Sequence, residues 1–465
     1  MSVAPPPRTG LHGHLDRFFH LHERGTTIRT EIIGGATTFA AMAYIIVVNP
    51  AILQAAKIPI GPSTVATILV AIFGSLLMGL YANRPLAVAP YMGENAFIAY
   101  GLGLLGIGWQ LRLGAVFVSG VAFLVITLLR VRSWLADSIS PSMKHSFAVG
   151  IGLFLAFLGL YQSGIITSFA EGKPNPGTEL LPRFDAPVRL GNLYDARVQL
   201  AVLGFVITVF LFCWRVKAAI LLGMAVTGAV GYFTGHGQAP QAIVAMPFTG
   251  EYDLSPIAFQ LDIAGVFDGA FVAILLTLFL MSFLDTLGTL VGVGAAGEML
   301  DERGNFPQIE RPMLVDALAC MFSAVVGSST SGAYIESAAG VRAGARTGLA
   351  SVTTALLFAL ALFFIPLVQP LQEYRYAYGP ALIVVGSMML NAAARIEWDD
   401  LTEGIPAFVT LAMMVFTYNI ANGLTAGLVL YPLLKIASGR ARELSAGSIV
   451  LALACLAYYL RGLPH

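Results

Sequence analysis

Apolar segments long enough to cross a lipid bilayer recur along almost the whole chain, and this pattern limits the fold more than any other feature. A transmembrane helix needs about 20 mostly apolar residues. Of the 465 residues, 57% are apolar and 11% are charged, whereas a soluble domain carries roughly 25% charged residues. The sequence therefore predicts an all-α polytopic membrane protein. We expect fourteen transmembrane helices and an extra short apolar helix near the C-terminus.

Basic residues and spacing predict how these segments are organised. Most of the 26 basic residues fall on the cytoplasmic side if the N-terminus is placed there, as the positive-inside rule requires. Gly93 and Gly332 are separated by nearly the same distance along the chain as Ala148 and Ala381, which suggests two inverted repeats of seven helices. The predicted segments are a cytoplasmic N-terminal segment at 1–30, a first repeat at 31–234, an extracytoplasmic loop at 235–262, a second repeat at 263–437 and a C-terminal segment at 438–465.

The charge balance and the cysteines argue against several classes of protein. The 26 basic and 26 acidic residues give no net charge, so no nucleic-acid partner is indicated. Cys213, Cys320 and Cys455 lie in apolar segments and form no ligand cluster, so neither disulfides nor a metal site is predicted. No Asn-x-Ser/Thr sequon occurs, which favours a bacterial inner membrane. No nucleophile and base of a hydrolase stand out, so an enzyme is not expected.

A run of small hydroxyl residues inside the apolar segment 329–341 indicates a binding site within the membrane. Residues 328–332 read Ser-Ser-Thr-Ser-Gly, and the carboxylate of Glu336 follows. An ionised carboxylate at bilayer depth costs roughly 2.5–3.5 kcal/mol, so it normally faces a cavity. Irregular backbone at that depth must be satisfied by protein or water.

The segment 87–104 carries a similar interruption. Pro90 cannot donate a backbone hydrogen bond, so a helix is expected to begin near Met92, directly before Glu94 and Asn95. If Gly332 likewise opens a half-helix, two positive helix ends meet near the membrane midplane and form a polar pocket. The alternative is a pair of kinked packing helices.

Other polar residues within apolar segments can have either a structural or a functional role. Asp285 lies deep inside the segment 264–294 and is either a site residue or a cap for a broken neighbouring helix. Burial favours the neutral form of a carboxyl group, so Asp285 or Glu336 could carry a proton across the membrane. Asp316 is expected to be a structural hydrogen-bonding residue. Asn419 fits either helix packing or a helix break.

Several ordered motifs resemble one transporter family. They are Arg29-Thr-Glu-Ile-Ile-Gly-Gly-Ala-Thr-Thr-Phe, Met42-Ala-Tyr-Ile-Ile-Val-Val-Asn-Pro, Met92-Gly-Glu-Asn-Ala-Phe, Asp285-Thr-Leu-Gly-Thr-Leu-Val-Gly-Val and Tyr334-Ile-Glu-Ser-Ala-Ala-Gly-Val. Together they resemble the azaguanine-like branch of the nucleobase–cation symporter-2 (xanthine/uracil permease) family. The likeness extends over nearly the whole chain.

The resemblance implies fold, cargo and site. Spans 1–4 and 8–11 would form a core domain and the remaining spans a gate domain, with a short strand before the half-helix in spans three and ten. The cargo would be a purine such as hypoxanthine, guanine or adenine, carried with a proton and without a cofactor; a homodimer is compatible with the family. Asn95, Asp285 and Glu336 would bind the purine, the backbone at Ala333 and Tyr334 would line its plane, and Glu336 and Asp285 would couple the proton.

Two departures from the family pattern leave alternatives open. The family often has an acid where this chain has Ser282, and commonly an apolar residue where this chain has Glu94. Moving an acid from span eight to span three would keep the charge of the pocket and change its shape, so Glu94 is counted among the substrate-binding residues. The alternatives are a transporter of the same fold for xanthine, uracil or an anion.

Overall fold

The computed structural model describes residues 11–104, 106–129, 138–168, 188–267, 271–301 and 306–460. The first ten residues of the predicted N-terminal segment and the last five of the C-terminal segment lie outside these ranges. The chain divides into two compact units. Unit 1 comprises Met1–Ile139, Ala245–Ile365 and Ser445–His465, and unit 2 comprises Ser140–Val244 and Pro366–Leu444.

The N-terminal part of unit 1 alternates long helices with short breaks. Its elements are α1 (Leu11–Phe19), α2 (Ile28–Met42), α3 (Ile45–Leu53), α4 (Ile60–Leu77), β1 (Val88–Pro90), α5 (Met92–Ala96), α6 (Leu102–Leu104) and α7 (Trp109–Leu128). Two π-helical turns, Met78–Ala82 and Phe97–Gly101, follow α4 and α5. Such turns are rare and occur often at functional sites.

The remaining elements complete both units. The first stretch of unit 2 contains α8 (Pro141–Gln162), β2 (Ile166–Ser168), β3 (Val188–Leu190), α9 (Ala196–Cys213) and α10 (Ala219–Phe233). Unit 1 resumes with α11 (Val272–Ala296), α12 (Glu310–Val326), β4 (Ser331–Ala333), α13 (Ser337–Arg342) and α14 (Gly348–Ala361). The chain ends with α15 (Ile365–Glu373), α16 (Arg375–Met389), α17 (Leu401–Phe416), α18 (Ile420–Ala437) and α19 (Ala446–Leu460).

Length and hydropathy identify the chain as a multi-pass membrane protein. Within the described ranges, nine helical runs are long and apolar enough to cross a membrane, and three further apolar helices are shorter. The last of the three lies in α19, the short C-terminal helix expected from the sequence. The count of fourteen crossings in two inverted repeats stays a prediction.

Side chains cap helix ends in both units, from a distant helix in unit 1 and from the adjacent residue in unit 2. In unit 1, the buried carboxylate of Glu31 on α2 accepts hydrogen bonds from the amides of Arg346 (2.7 Å) and Thr347 (3.2 Å), at the start of α14. In unit 2, Asn419 caps α18 by accepting from the amide of Ala421 (2.9 Å). Asn419 therefore supports the break between α17 and α18, which decides between the two readings of this residue.

Unit 2 also contains a connected set of charges. Lys435, which is 2% exposed, places its Nζ 3.0 Å from Glu403 and 2.9 Å from Glu443. Arg440 contacts Asp400 at 2.7 Å and Glu443 at 2.6 Å. Hydrogen bonds from Arg440 and then from Lys435 lower the pKa of Glu443 to about 2. A buried lysine is tolerated here because carboxylates surround it.

Candidate functional site

The site is built on two short strands of unit 1 that pair antiparallel. Val88 pairs with Ala333 and Pro90 with Ser331. The helix α5 begins at Met92, directly after β1, as the sequence predicts. The expectation that Gly332 opens the second half-helix is wrong, because residues 331–333 are held in the strand. The helix α13 begins instead at Ser337, with Glu336 as its N-cap residue.

Neighbouring helices fix both strands through side-chain hydrogen bonds. The hydroxyl of Ser75 on α4 accepts from the amide of Val88 (3.0 Å). The carboxylate of Asp316 on α12 accepts from the amide of Ala333 (3.0 Å) and from the hydroxyl of Thr286 on α11 (2.9 Å). Asp316 is thus the structural hydrogen-bonding residue that was expected. The amide of Ala333 is already hydrogen-bonded to Asp316, so it is not a free donor for a ligand. Ala333 can therefore only line the site.

Two tyrosines flank the strand pair. Tyr91 donates its amide to the carbonyl of Thr330, and Tyr334 donates its amide to the carbonyl of Ala87, both at 2.9 Å. Their rings are parallel within 5°, with centroids 6.4 Å apart. The ring of Tyr91 also explains Gly332, because a Cβ at that position would overlap the Tyr91 hydroxyl and ring.

Glu336 and Asp285 are the accessible carboxyl groups of the site. Both are partly exposed, whereas Glu94 and Asn95 are fully buried. The hydroxyl of Tyr44 on α3 donates to Oε1 of Glu336 at 2.6 Å. A Cβ added at Gly288, three residues after Asp285, would meet nothing within 4 Å. The space beside α11 at Gly288 is therefore open, and it lies next to the carboxyl group of Asp285.

Asn95 is held by a second asparagine, Asn49 on α3. The Asn95 Nδ2 donates to Oδ1 of Asn49 at 2.8 Å. Asn49 in turn donates to the hydroxyls of Thr67 (2.7 Å) and Ser328 (3.2 Å). The Oδ1 of Asn95 is buried and has no hydrogen-bond partner among the described residues. The unused hydrogen-bonding atom of Asn95 is therefore an acceptor.

The two departures from the family pattern are in direct contact. The hydroxyl of Ser282 on α11 donates to Oε2 of Glu94 on α5 at 2.7 Å. A carboxyl group is thus held between α5 and α11. Glu94, like Asn95, has no exposed surface in this conformation.

The electrostatic environment of the site is acidic. Asp285 lies within charge-interaction range of both Glu94 and Glu336. Among the described residues, no lysine, arginine or histidine forms an ion pair with these three carboxyl groups. Nor do three His, Cys, Asp or Glu side chains come together as metal ligands within the described ranges. The arrangement suits a ligand that is neutral and rich in hydrogen-bond donors.

All six substrate-site residues predicted from the sequence lie on or beside the paired strands of unit 1. Sequence reasoning missed Tyr44 and Asn49 as site residues. Asn49 could have been found, because an amide side chain inside an apolar segment requires buried partners. The phenol of Tyr44 gave no such signal, because tyrosine is common in membrane helices. The aromatic side chain of Phe283 on α11 packs against Phe123 and Phe279 and is fully buried, so it is not available to a ligand in this conformation.

Comparison with known proteins agrees with this architecture. Residues 29–426 match the model of a family described as Permease family, that of the xanthine/uracil permeases. The chain belongs to this family. The match covers residues 29–139 and 245–365 of unit 1 and extends through unit 2 to the middle of α18, so it includes every residue of the site described above.

Named permeases of this type are similar over nearly their full lengths. Adenine permease AdeP of Escherichia coli (strain K12) is 38% identical over 454 residues, which cover 97% of this chain and 97% of AdeP. Guanine/hypoxanthine permease PbuO of Bacillus subtilis (strain 168) is 36% identical over 438 residues, covering 94% and 98%. These relatives are permeases and not enzymes.

Two solved structures share the fold. The transmembrane domain of the cyanobacterial bicarbonate transporter BicA aligns with a TM-score of 0.58 at 14% identity, over 92% of this chain and 96% of that chain. The murine Solute Carrier 26 family member A9 anion transporter in the inward-facing state aligns with a TM-score of 0.61 at 13% identity, covering 94% and 74%. At such low identity the likeness establishes the fold alone.

Proposed function

We propose that this permease imports purine nucleobases, namely hypoxanthine, guanine or adenine, by proton symport. It would act in a bacterial plasma membrane with its N-terminus in the cytoplasm. Spans 1–4 and 8–11 would form a core that moves relative to a gate and so alternates access to the site. The relatives named for adenine and for guanine/hypoxanthine support this cargo.

The observation that carries the proposal is the set of acceptors around the paired strands. Glu336 and Asp285 offer partly exposed carboxyl groups, and the buried Asn95 has a carbonyl oxygen without a hydrogen-bond partner among the described residues. A purine is flat and presents ring N–H groups and, in guanine and adenine, an exocyclic amino group. Carboxylates and amide oxygens accept hydrogen bonds from such groups. The parallel rings of Tyr91 and Tyr334 provide flat surfaces close to these acceptors.

The acidic environment also favours proton coupling. Carboxyl groups within interaction range of one another repel when they are all ionised. A proton that enters with a neutral base would reduce this repulsion, and its release on the cytoplasmic side would allow the cycle to repeat. We assign this role to Glu336 and Asp285, because they are the accessible members of the set.

The second candidate cargo within this fold is an anion, as in the two solved relatives. An anion would meet three carboxyl groups and no paired cation among the described residues, which disfavours it. Xanthine and uracil fit the same acceptors in part, since they also carry ring N–H groups. Competition for uptake separates these cargoes.

Uptake of radiolabelled hypoxanthine, in cells that lack their own purine carriers, tests the proposal. Saturable uptake that a protonophore abolishes, and that guanine or adenine inhibits, is expected. Glu336→Gln should abolish accumulation without lowering the amount of protein in the membrane. Glu397→Gln, at an exposed glutamate of unit 2, is the matched control and should transport normally. Normal accumulation by Glu336→Gln would contradict the assignment of this carboxyl group.

A further inference from the structure

Glu94 is a fully buried carboxyl group that the substrate site does not account for. Its Oε2 accepts a hydrogen bond from Ser282. Its Oε1 is buried and has no hydrogen-bond partner among the described residues. An ionised carboxylate buried in this way would have only neutral hydroxyls as side-chain partners, whereas buried charges are normally paired with an opposite charge and hydrogen-bonded at both oxygens.

A second buried oxygen lies beside it. The hydroxyl of Thr330, in the residue before β4, interacts with the Glu94 carboxyl, and its Oγ1 forms no well-aligned hydrogen bond among the described residues. A hydroxyl can both donate and accept, so Thr330 can pair with Oε1 of Glu94 in either protonation state. A proton on Oε1 makes that atom the donor towards Thr330 and removes a buried charge whose side-chain partners are neutral hydroxyls.

The titratable groups that face Glu94 offer no positive charge. They come from the residue before α5, from α11, from α12 and from the segment after β4, and they are Tyr91, Asp285, Asp316, Cys320 and Tyr334. None of these can carry a positive charge, and no described lysine, arginine or histidine is paired with Glu94. Among the described residues, a negative charge on Glu94 would therefore meet hydroxyls and the amide end of the five-residue helix α5, and no cationic side chain.

We propose that Glu94 is a proton-binding site of the transporter, separate from Glu336. Glu94 binds the proton at Oε1, and the resulting O–H group donates a hydrogen bond to Thr330. The step forms one O–H bond with a proton from a hydronium ion, which leaves as water, and release returns the proton to water, so nothing is oxidised or reduced. This inference deepens the proposed proton symport, and its purine-dependent part rests on that proposed function.

The link to the substrate runs through α11. Ser282, which holds Glu94, precedes Asp285 by three residues and so lies on the same side of the helix. Asp285 is within charge-interaction range of both glutamates. Binding of a base at Asp285 and Glu336 therefore changes the field at Glu94. By linkage, protonation of Glu94 changes the affinity for the base by the same factor.

Infrared difference spectroscopy of the reconstituted full chain tests this site without requiring a purine. A protonated buried carboxyl group gives a C=O stretching band that an ionised one lacks. We expect such a band at neutral pH in the wild type and its loss in Glu94→Gln. The band should persist in Glu31→Gln, which removes a buried glutamate of unit 1 whose oxygens both accept from backbone amides.

Two further variants keep the test independent of whether Glu94→Gln folds. Ser282→Ala and Thr330→Val each remove one hydrogen-bonding group, so each should shift the frequency of the band. A band that is identical in the wild type, Glu94→Gln, Ser282→Ala and Thr330→Val would overturn the proposal. Adding hypoxanthine should perturb the Glu94 band. If it does not, while the band itself follows the variants, the proton site stands and the proposed cargo fails.

Discussion

Replacing Asn49 by alanine should weaken purine binding although Asn49 itself is not expected to contact the ligand. Asn49 accepts the hydrogen bond of Asn95 at 2.8 Å and is anchored by Thr67 and Ser328. The variant removes the oxygen acceptor of the buried Nδ2 of Asn95 and leaves it only the sulfur of Met92 at 4.0 Å, which costs about 1–3 kcal/mol. If this free energy is lost whenever Asn95 keeps its Oδ1 directed at the base, the dissociation constant for the purine rises roughly 5- to 150-fold, since about 1.4 kcal/mol corresponds to a tenfold change.

A double-mutant cycle measures this coupling. Hypoxanthine binding to purified wild type, Asn49→Ala, Asn95→Ala and the double variant should give strongly non-additive effects, with a coupling energy of about 0.5–3 kcal/mol. Thr67→Val is the matched control, because it removes a hydroxyl on the far side of Asn49 and keeps the contact with Asn95. We expect this control to bind within about fivefold of the wild type. Additive effects in the cycle, or wild-type affinity in Asn49→Ala, would refute the role of Asn49 as a positioning residue.

Three further predictions concern packing and charge. Gly348→Ala should lower stability by about 1–3 kcal/mol, because its Cβ would overlap a backbone carbonyl of the neighbouring π-helical turn; an unchanged melting temperature in detergent would contradict this. Lys435→Met should destabilise unit 2 by about 3–5 kcal/mol, since it leaves the buried Glu403 unpaired, and adding Glu403→Gln should recover most of the loss. The contribution of Glu443 should be complete above its ordinary pKa of about 4.3 and lost as pH falls through about 2, because its pKa is lowered in the folded state. A pH titration of thermal unfolding in wild type and Glu443→Gln checks this, and parallel curves would argue against it.

The break in the first half-helix could be predicted from the sequence, and the break in the second could be predicted only in part. Pro90 has no amide hydrogen and a fixed backbone angle, so its effect is local and the start of α5 at Met92 follows from it. Gly332 allows several backbone conformations. Pairing with β1 places it in a strand, and the helix therefore begins five residues later than its position suggests, at Ser337.

The candidate site residues could be predicted from the sequence, whereas the groups that they contact could not. Glu336, Asp285, Asn95 and Glu94 stand out because a polar side chain inside an apolar segment is visible without any knowledge of the fold. The sequence does not indicate which groups they meet. Asp285 has partly exposed surface and Glu94 has none, although both are acids in apolar segments of similar character.

The sequence by itself determined that the chain is a membrane protein, where most of its helices lie and which polar residues are candidates for the site. These properties depend on composition and spacing within a single segment. Only the tertiary structure decided the pairing of β1 with β4. The same is true of the contact between Tyr44 and Glu336, which are 292 residues apart, and of the contact between Ser282 and Glu94, which are 188 residues apart. Hydrogen bonds form between whichever groups the packed helices bring within about 3 Å, and no local pattern specifies that approach.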